Sequence, residues 1–184
     1  MPASPPPTAT DQAVALLHKL GAAQIDHPGG TLIAHLHRVR NRLADWGARP
    51  ALQLAGLCHA LYGTDGFPEA LLPLGRRTEL ATAVGAEAEA LVYLYASCAR
   101  GSTYTTLADP DGPFLDRFTG LRHVPDPQSR RDFTELTAAN ELDLAHADPA
   151  FRDKWGSQLL TLFTRVHPLL SQPAWKDCRE ILAG

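Results

Sequence analysis

The sequence predicts an all-α fold, because apolar residues recur at helical spacing along most of the chain and alternation with a period of two is nearly absent. With 184 residues and 45% hydrophobic content, the chain is long enough for one domain with a substantial core. We therefore expect a single helical domain over residues 11–184, preceded by a proline-rich, disordered lead-in at residues 1–10.

The first half of the chain divides into helices joined by short loops. Thr31 suits a helix N-cap, Gly47 is a typical helix stop, and Pro50 fits the first position of the next helix. The helices predicted in this half span residues 11–20, 31–46, 50–62, 76–84 and 86–98, with a short helix at 68–72.

The second half begins with a long irregular segment, residues 101–128. Within it, residues 114–124 are expected to form a small hairpin around Thr119 and Gly120. Long irregular segments in compact domains are often binding loops. Helices resume at residues 129–147, 153–170 and 173–182.

The composition argues against several classes of function. A net charge of -3 with both signs interspersed gives no basic field for nucleic acid or for an anionic membrane. Three widely spaced cysteines favour neither a disulfide scaffold nor a cysteine-rich zinc site. No apolar run approaches the length of a membrane span, and we expect a cytoplasmic protein whose oligomeric state the sequence does not indicate.

His59 is the first candidate functional residue. Between Pro50 and Leu61, only Gln53 and His59 carry side chains that hydrogen-bond strongly, so the helix is apolar nearly all round and should be buried. A buried imidazole needs a hydrogen-bond partner or a metal ion to offset its lost hydration.

Two further polar side chains are expected to face the interior. At about 100° per residue, His35 lies on the flank of an apolar stripe while His37 lies nearly opposite. Asn140 lies within the stripe of a later helix, with Asp143 at its edge. The stripes comprise Leu32, Leu36, Val39, Leu43 and Trp46 in the earlier helix and Phe133, Leu136 and Leu144 in the later one. Both a functional site and core polar residues that hold the helices in register fit this pattern.

Three segments resemble the HD-domain superfamily, a helical family whose metal site uses a His on one helix, a His-Asp pair on a second and an Asp on a later one. Residues 34–39 resemble its first-histidine helix, residues 54–63 its signature LAxLLHDxG, and residues 139–142 its late ADxL. Residues 27–32 and 54–64 are also similar to the segments H-x-G-x-T-L and L-A-G-L-x-H-x-x-Y-G-T of a group of uncharacterised bacterial HD-like proteins. The resemblance implies an HD-like helical architecture.

The chain departs from the HD pattern at both carboxylates. Ala60 follows His59 where the family has Asp, and Asn140 stands in place of the late Asp. Anionic oxygen ligands offset much of a metal ion's charge, so a pair of metal ions is not expected. We expect no cofactor, and the alternative is a single divalent metal ion.

If one metal ion is bound, its candidate ligands are His35, His59 and one carboxylate, either Asp65 or Asp143. Such a set would leave open coordination positions for a substrate or water.

The leading functional hypothesis is a small-molecule enzyme with a degenerate HD-like pocket, using acid–base or hydrolytic chemistry of hydrolase or lyase type. His35 and His59 would transfer protons, and Asn140 would donate a hydrogen bond to a carbonyl or oxyanion. Tyr62, one turn beyond His59, would orient a substrate oxygen. The eroded ligand set suggests specialised metabolite biosynthesis. Two alternatives stay open: a non-catalytic ligand-binding module, and a metal-dependent hydrolase or oxygenase with rearranged ligands.

The rim of the pocket is expected to bind the substrate. Thr64 and Asp65 lie in the glycine-flanked break directly after His59. His27, in a His-Pro-Gly-Gly segment, is a candidate anion-binding residue at a helix N-terminus. Because eight residues of helix span roughly 12 Å, His27 and His35 are not expected to share one ion if both lie along one helix.

Overall fold

A computed structural model describes residues 5–183 of the chain. Over that range the protein is all-α, as predicted, with two short antiparallel hairpins. The α-helices are α1 (Ala9–Lys19), α2 (Leu32–Asp45), α3 (Pro50–Cys58), α4 (Arg77–Val84), α5 (Ala86–Ser97), α6 (Arg100–Thr103), α7 (Pro127–Ala147), α8 (Pro149–Val166) and α9 (Gln172–Leu182). The strands are β1 (Asp26–His27), β2 (Gly30–Thr31), β3 (Phe114–Leu115) and β4 (Arg122–His123).

The longest of these helices, α7, lies at the centre of the bundle. It packs against α2, α3, α5, α8 and α9, and most of its side chains are buried. Asp126 caps its first turn by accepting the amides of Gln128 and Ser129, and Pro127 follows the cap. The helix therefore begins two residues before the predicted start. Around it, α2 packs against α3, and α3 packs against α5.

The N-terminal helix begins earlier than the sequence predicted. Thr8 and Asp11 form a reciprocal cap, in which each side chain accepts the backbone N–H of the other residue. The predicted lead-in therefore ends sooner, since Thr8 caps the helix and residues 9 and 10 belong to its first turn. Residues 1–4 of that lead-in lie outside the described residues.

The third helix ends at Cys58, four residues before the predicted end. Beyond Cys58 the backbone hydrogen bonds join residues three apart rather than four. The N–H of Leu61 donates to the carbonyl of Cys58, and the N–H of Gly63 donates to the carbonyl of Ala60, each at 3.0 Å. Gly63 then adopts a left-handed φ of +71°. His59 thus lies at the C-cap of α3, where the chain leaves the helix.

Residues 68–72 do not form the short helix that the sequence predicted. The amides of Leu71 and Leu72 both donate to the carbonyl of Leu61, at 2.9 Å. These bonds fasten the segment to the turn after α3 and compete with helical pairing. Leu72 is fully buried as a result.

Two hairpins interrupt the helices. The predicted hairpin in the irregular segment is confirmed, with Phe114 paired to His123 and Gly120 at a φ of +73°. The hairpin formed by β1 and β2 was not predicted, and it precedes α2 directly. Thr31, as predicted, caps α2 by accepting the N–H of Ala34.

The last two helices also begin before their predicted starts, because Asp148 caps α8 and Ser171 caps α9. Helix α8 packs mainly against α7 and α9. Among residues 5–183, no helix combines the length and the apolar character needed to cross a membrane.

The turn after α3 gives a test of the fold. In Gly63→Ala the new Cβ would lie 2.8 Å from the carbonyl oxygen of Pro68 at a left-handed φ. We expect the free energy of unfolding to fall by about 2 kcal/mol, measured by urea denaturation. Gly75→Ala is the control, because a Cβ at Gly75 meets no atom within 4 Å. Equal stabilities of the two variants would contradict the description of this turn.

Candidate active site

Three helices each contribute one polar side chain to a single buried position. His35 lies in the first turns of α2, His59 at the C-cap of α3, and Asn140 in the second half of α7. The Nε2 atoms of His35 and His59 each lie 3.1 Å from Oδ1 of Asn140. The structure thus brings together the three residues that the apolar stripes predicted to face inward. His37, predicted to face water, is half-buried outside this cluster.

Asp143, one turn after Asn140, fixes the ring of His35. Nδ1 of His35 lies 2.6 Å from Oδ2 of Asp143, and Arg38 donates to both oxygens of the same carboxylate, at 2.8 and 3.0 Å. Burial opposes ionisation of Asp143, but the hydrogen bonds from His35 and Arg38 outweigh it and hold the pKa of Asp143 at about 2. An ionised Asp143 accepts the proton of Nδ1, so Nε2 of His35 points toward Asn140.

The ring of His59 is fixed by the backbone of its own helix. Its Nδ1 donates to the carbonyl of Gly56 at 2.7 Å. Burial, with the neighbouring His35 as a smaller cause, lowers the pKa of His59 to about 3. His59 is therefore neutral near pH 7, and Nε2 carries a lone pair that faces Asn140.

The orientation of the Asn140 amide follows from this tautomer. Oδ1 is an acceptor, and so is Nε2 of neutral His59, so the two repel each other at 3.1 Å. Turning the amide over would place Nδ2, a donor, toward the two rings and allow it to donate to His59. This orientation gives the lone pair of neutral His59 a donor.

His27 reaches the same cluster through the hairpin of β1 and β2. Its ring stacks on that of His35, with the ring centroids 4.1 Å apart. Arg38 holds the hairpin turn by donating to the carbonyls of Pro28 and Gly29. The separation expected for two residues along one helix does not apply, because His27 lies in the hairpin, which folds it back over α2. Burial, then the proximity of His35, lowers the pKa of His27 to about 4.

These residues line a cavity of about 1080 Å³. Its polar floor, as we name it here, comprises His27, His35, His59, Arg100, Asn140 and Glu141. Its apolar wall comprises Leu32, Phe67, Phe151, Trp155, Leu159 and Leu162. The last four lie on α8, and Trp155 is 39% exposed at the rim. The volume is at the upper end of the range for small-molecule sites, about 300–1,000 Å³.

Sequence reasoning missed two residues of the polar floor, Arg100 and Glu141. Nη1 of Arg100 donates to Oε1 of Glu141 at 3.1 Å, and Nη2 donates to the hydroxyl of Tyr95 at 3.2 Å. Burial raises the pKa of Glu141 although Arg100 opposes the change. Glu141 follows Asn140 directly, which was the available signal; Arg100 lies in a four-residue helix with no apolar stripe.

The structure removes Tyr62 from the candidate catalytic residues. Tyr62 is buried, but its hydroxyl donates to Glu89 at 2.8 Å and its side chain does not line the cavity. Arg77 binds the same Glu89 carboxylate. The expectation assumed that α3 continues through Tyr62, and the end of the helix at Cys58 changes the direction of the side chain.

Of the two residues predicted at the rim, one lines the cavity and the other does not. Thr64 lines the cavity, and its hydroxyl oxygen accepts the N–H of Phe67 at 3.0 Å. Asp65 is exposed, accepts the N–H of Arg100 at 2.9 Å, and does not line the cavity. Asp65 therefore contributes to the position of Arg100 rather than to the cavity surface.

The two carboxylates predicted as ligands of a single metal ion, Asp65 and Asp143, are poorly placed for that role. Asp65 points away, and Asp143 binds Nδ1 of His35, on the far side of the ring from Nε2. Neither is placed to complete a ligand set with His35 and His59. Within the described ranges, no group of three or more His, Cys, Asp or Glu side chains is arranged to hold a metal ion.

Comparison with protein families finds a match over part of the chain. The chain is similar over residues 16–100 to a family described as a domain of unknown function (DUF6817). That range contains His27, His35 and His59 but ends before Asn140 and Asp143. No curated protein matches the chain, and no solved structure does.

The lowered pKa of His59 predicts a pH dependence of stability. The unfolded state binds a proton near pH 6.5, whereas the folded state holds His59 neutral down to about pH 3. Stability is therefore lost as the pH falls below 6.5, by up to about 1.4 kcal/mol per pH unit for this one proton. We expect His59→Gln to show a shallower loss between pH 6.5 and 4.5 in urea denaturation.

Unfolding at pH 8 serves as the internal control. His59 is neutral there in both the folded and the unfolded state, so any difference in the free energy of unfolding comes from the substitution itself. Parallel stability curves for wild type and His59→Gln would contradict the neutral, buried imidazole.

Proposed function

We propose that the protein is a small-molecule enzyme in which His35 acts as a general base in acid–base or hydrolytic chemistry. The observation that carries this proposal is the pair formed by His35 and Asp143 at the base of the cavity. Asp143 holds Nδ1 at 2.6 Å, so that Nε2 faces Asn140 and His59. A carboxylate that orients an imidazole and stabilises its protonated form is a recurrent catalytic arrangement.

Each partner of His35 has a defined part in this chemistry. Nε2 of His35 takes a proton from a water molecule or from the substrate, and the resulting imidazolium is stabilised by Asp143. Arg38 keeps that carboxylate ionised through two hydrogen bonds. When the leaving group or product needs a proton, the same nitrogen returns it.

His59 and Asn140 serve the substrate in different ways. Neutral His59 is a weak base, and a nucleophilic water or a substrate hydroxyl that displaces the Asn140 donor can hydrogen-bond to its lone pair. The Asn140 amide can donate to a carbonyl or to a developing oxyanion.

The resemblance to HD domains supports the location of this site, because the segments that carry it supply His35, His59 and Asn140. The same resemblance underlies our inference of specialised metabolism, since both family carboxylates are replaced. A ligand-binding module without turnover is the competing proposal, and it needs the cavity but not a base.

A substrate panel tests the proposed function. We expect turnover of carboxylic esters, lactones or epoxides in preference to phosphomonoesters and phosphodiesters. His35→Gln should lower kcat/KM at least about 100-fold, because it removes the base. The folded fraction is checked by circular dichroism.

His37→Gln is the matched control, since it changes a half-buried histidine on the same helix that does not line the cavity. Equal activity of His35→Gln and wild type would refute the role of His35. Absence of turnover across the panel would favour the binding module.

A second candidate is a metal-dependent hydrolase or oxygenase with one divalent ion. The supporting observation is that His35 and His59 each bind a second partner through Nδ1, as metal-ligating histidines usually do. Together with Oδ1 of Asn140 they would offer three neutral ligands. A bound ion would activate water or polarise a carbonyl.

Elemental analysis separates the two candidates. Because those three ligands are neutral, we expect less than one equivalent of tightly bound metal in protein purified without chelator or added metal. His59→Gln provides the comparison for non-specific binding. Two equivalents of iron, manganese or zinc would show that other carboxylates complete the site.

A further inference from the structure

The arginine and the carboxylates at the polar floor are engaged in ion pairs. Arg100 is paired with Glu141, whose side chain is 7% exposed, and Asp143 behind His35 is paired with Arg38. The remaining ionic residues of the cavity, Asp26 and Arg165, are exposed at its rim and opposite in sign.

An anionic ligand group would therefore find the one arginine among the named floor residues already paired. Arg100 already donates to Glu141 and to Tyr95. Breaking that pair to bind a phosphate or carboxylate would leave Glu141 buried without its partner, which is strongly unfavourable. An unpaired anion in a partly dehydrated cavity carries the same kind of cost.

Uncharged polar groups, in contrast, have unused partners in the cavity. The hydroxyl oxygen of Tyr104 and Nδ1 of His27 are buried, and neither has a hydrogen-bond partner in the part of the chain that the structure describes. Both residues line the cavity. Buried polar atoms are nearly always paired, so these two atoms indicate an external donor or acceptor. A ligand oxygen can accept from Tyr104, and a ligand hydroxyl can bind His27.

The wall on α8 is suited to a ring system. Phe151, Trp155, Leu159 and Leu162 repeat at helical spacing along one side of α8, and Phe67 lies in the same wall. Aromatic side chains stack on flat apolar surfaces and contribute much of the binding free energy of such ligands. Trp155, at the rim, has the largest exposed aromatic surface in this set.

We propose that the substrate class is an uncharged organic molecule with a ring-bearing apolar body and an oxygen-bearing head, the body against α8 and the head at Tyr104 and the floor histidines. This inference rests on the proposed function only in treating the ligand as a substrate. The chemistry of the ligand follows from the cavity itself. It sets the site apart from one built for phosphate esters.

A matched pair of probes tests the charge preference. We would titrate the protein with 2-naphthamide, which is uncharged, and with 2-naphthoate, its carboxylate counterpart, by isothermal titration calorimetry at pH 7.5. We expect the amide to bind with a Kd at least about tenfold lower than the carboxylate.

Three variants locate the binding. Trp155→Ala should raise the Kd of the amide at least about tenfold, and Tyr104→Phe, which removes only the hydroxyl, about three- to tenfold. Trp175→Ala is the matched control, because Trp175 lies on α9 against His167 and does not line the cavity. We expect it to leave the Kd within about twofold of wild type.

Four outcomes overturn the proposal. The carboxylate binds as tightly as the amide, or neither probe binds at millimolar concentration. Alternatively, the Kd of the amide is unchanged by Trp155→Ala or by Tyr104→Phe. Tighter binding of the carboxylate would favour the metal-dependent alternative. Repeating the titration with His35→Gln distinguishes this failure from that of the proposed function. Retained amide binding together with absent turnover in wild type would remove the catalytic role while leaving the ligand class in place.

Discussion

The guanidinium of Arg38 organises the site through two sets of hydrogen bonds. On one side it binds both oxygens of Asp143, which in turn fixes the ring of His35. On the other it donates to the carbonyls of Pro28 and Gly29, and so holds the hairpin that stacks His27 on His35. Arg38 is 36% exposed, yet its partner Asp143 is almost fully buried. A single side chain of α2 thereby joins α7, the hairpin and both imidazoles.

Much of the fold and part of the site follow from short-range sequence patterns. Helical spacing and caps predicted the helices, and the position of His35 and Asn140 relative to their apolar stripes predicted their inward direction. His59 was identified because its helix has almost no polar face. In each case the informative signal lies within one helix, where geometry is regular enough to give the direction of a side chain.

The errors arose where the direction of a side chain depends on contacts between segments. Tyr62 was placed by continuing α3, although backbone bonds from residues 71 and 72 fasten the turn that follows it. His27 was assigned to the turn that starts α2, but the hairpin that folds it back over His35 was not predicted. Arg100 lies in a helix of four residues, which shows no periodicity. Such positions depend on tertiary pairing and cannot be read from local spacing.

The histidine cluster and the apolar wall of the cavity come from different helices. The histidines and their partners come from α2, α3 and α7, whereas much of the apolar wall comes from α8, which packs mainly against α7 and α9. Residues on the inner side of α8 can therefore change in size without disturbing the hydrogen bonds that orient His35. Substitutions along this face of α8 would then alter which molecules fit the cavity, while the histidine cluster keeps its geometry.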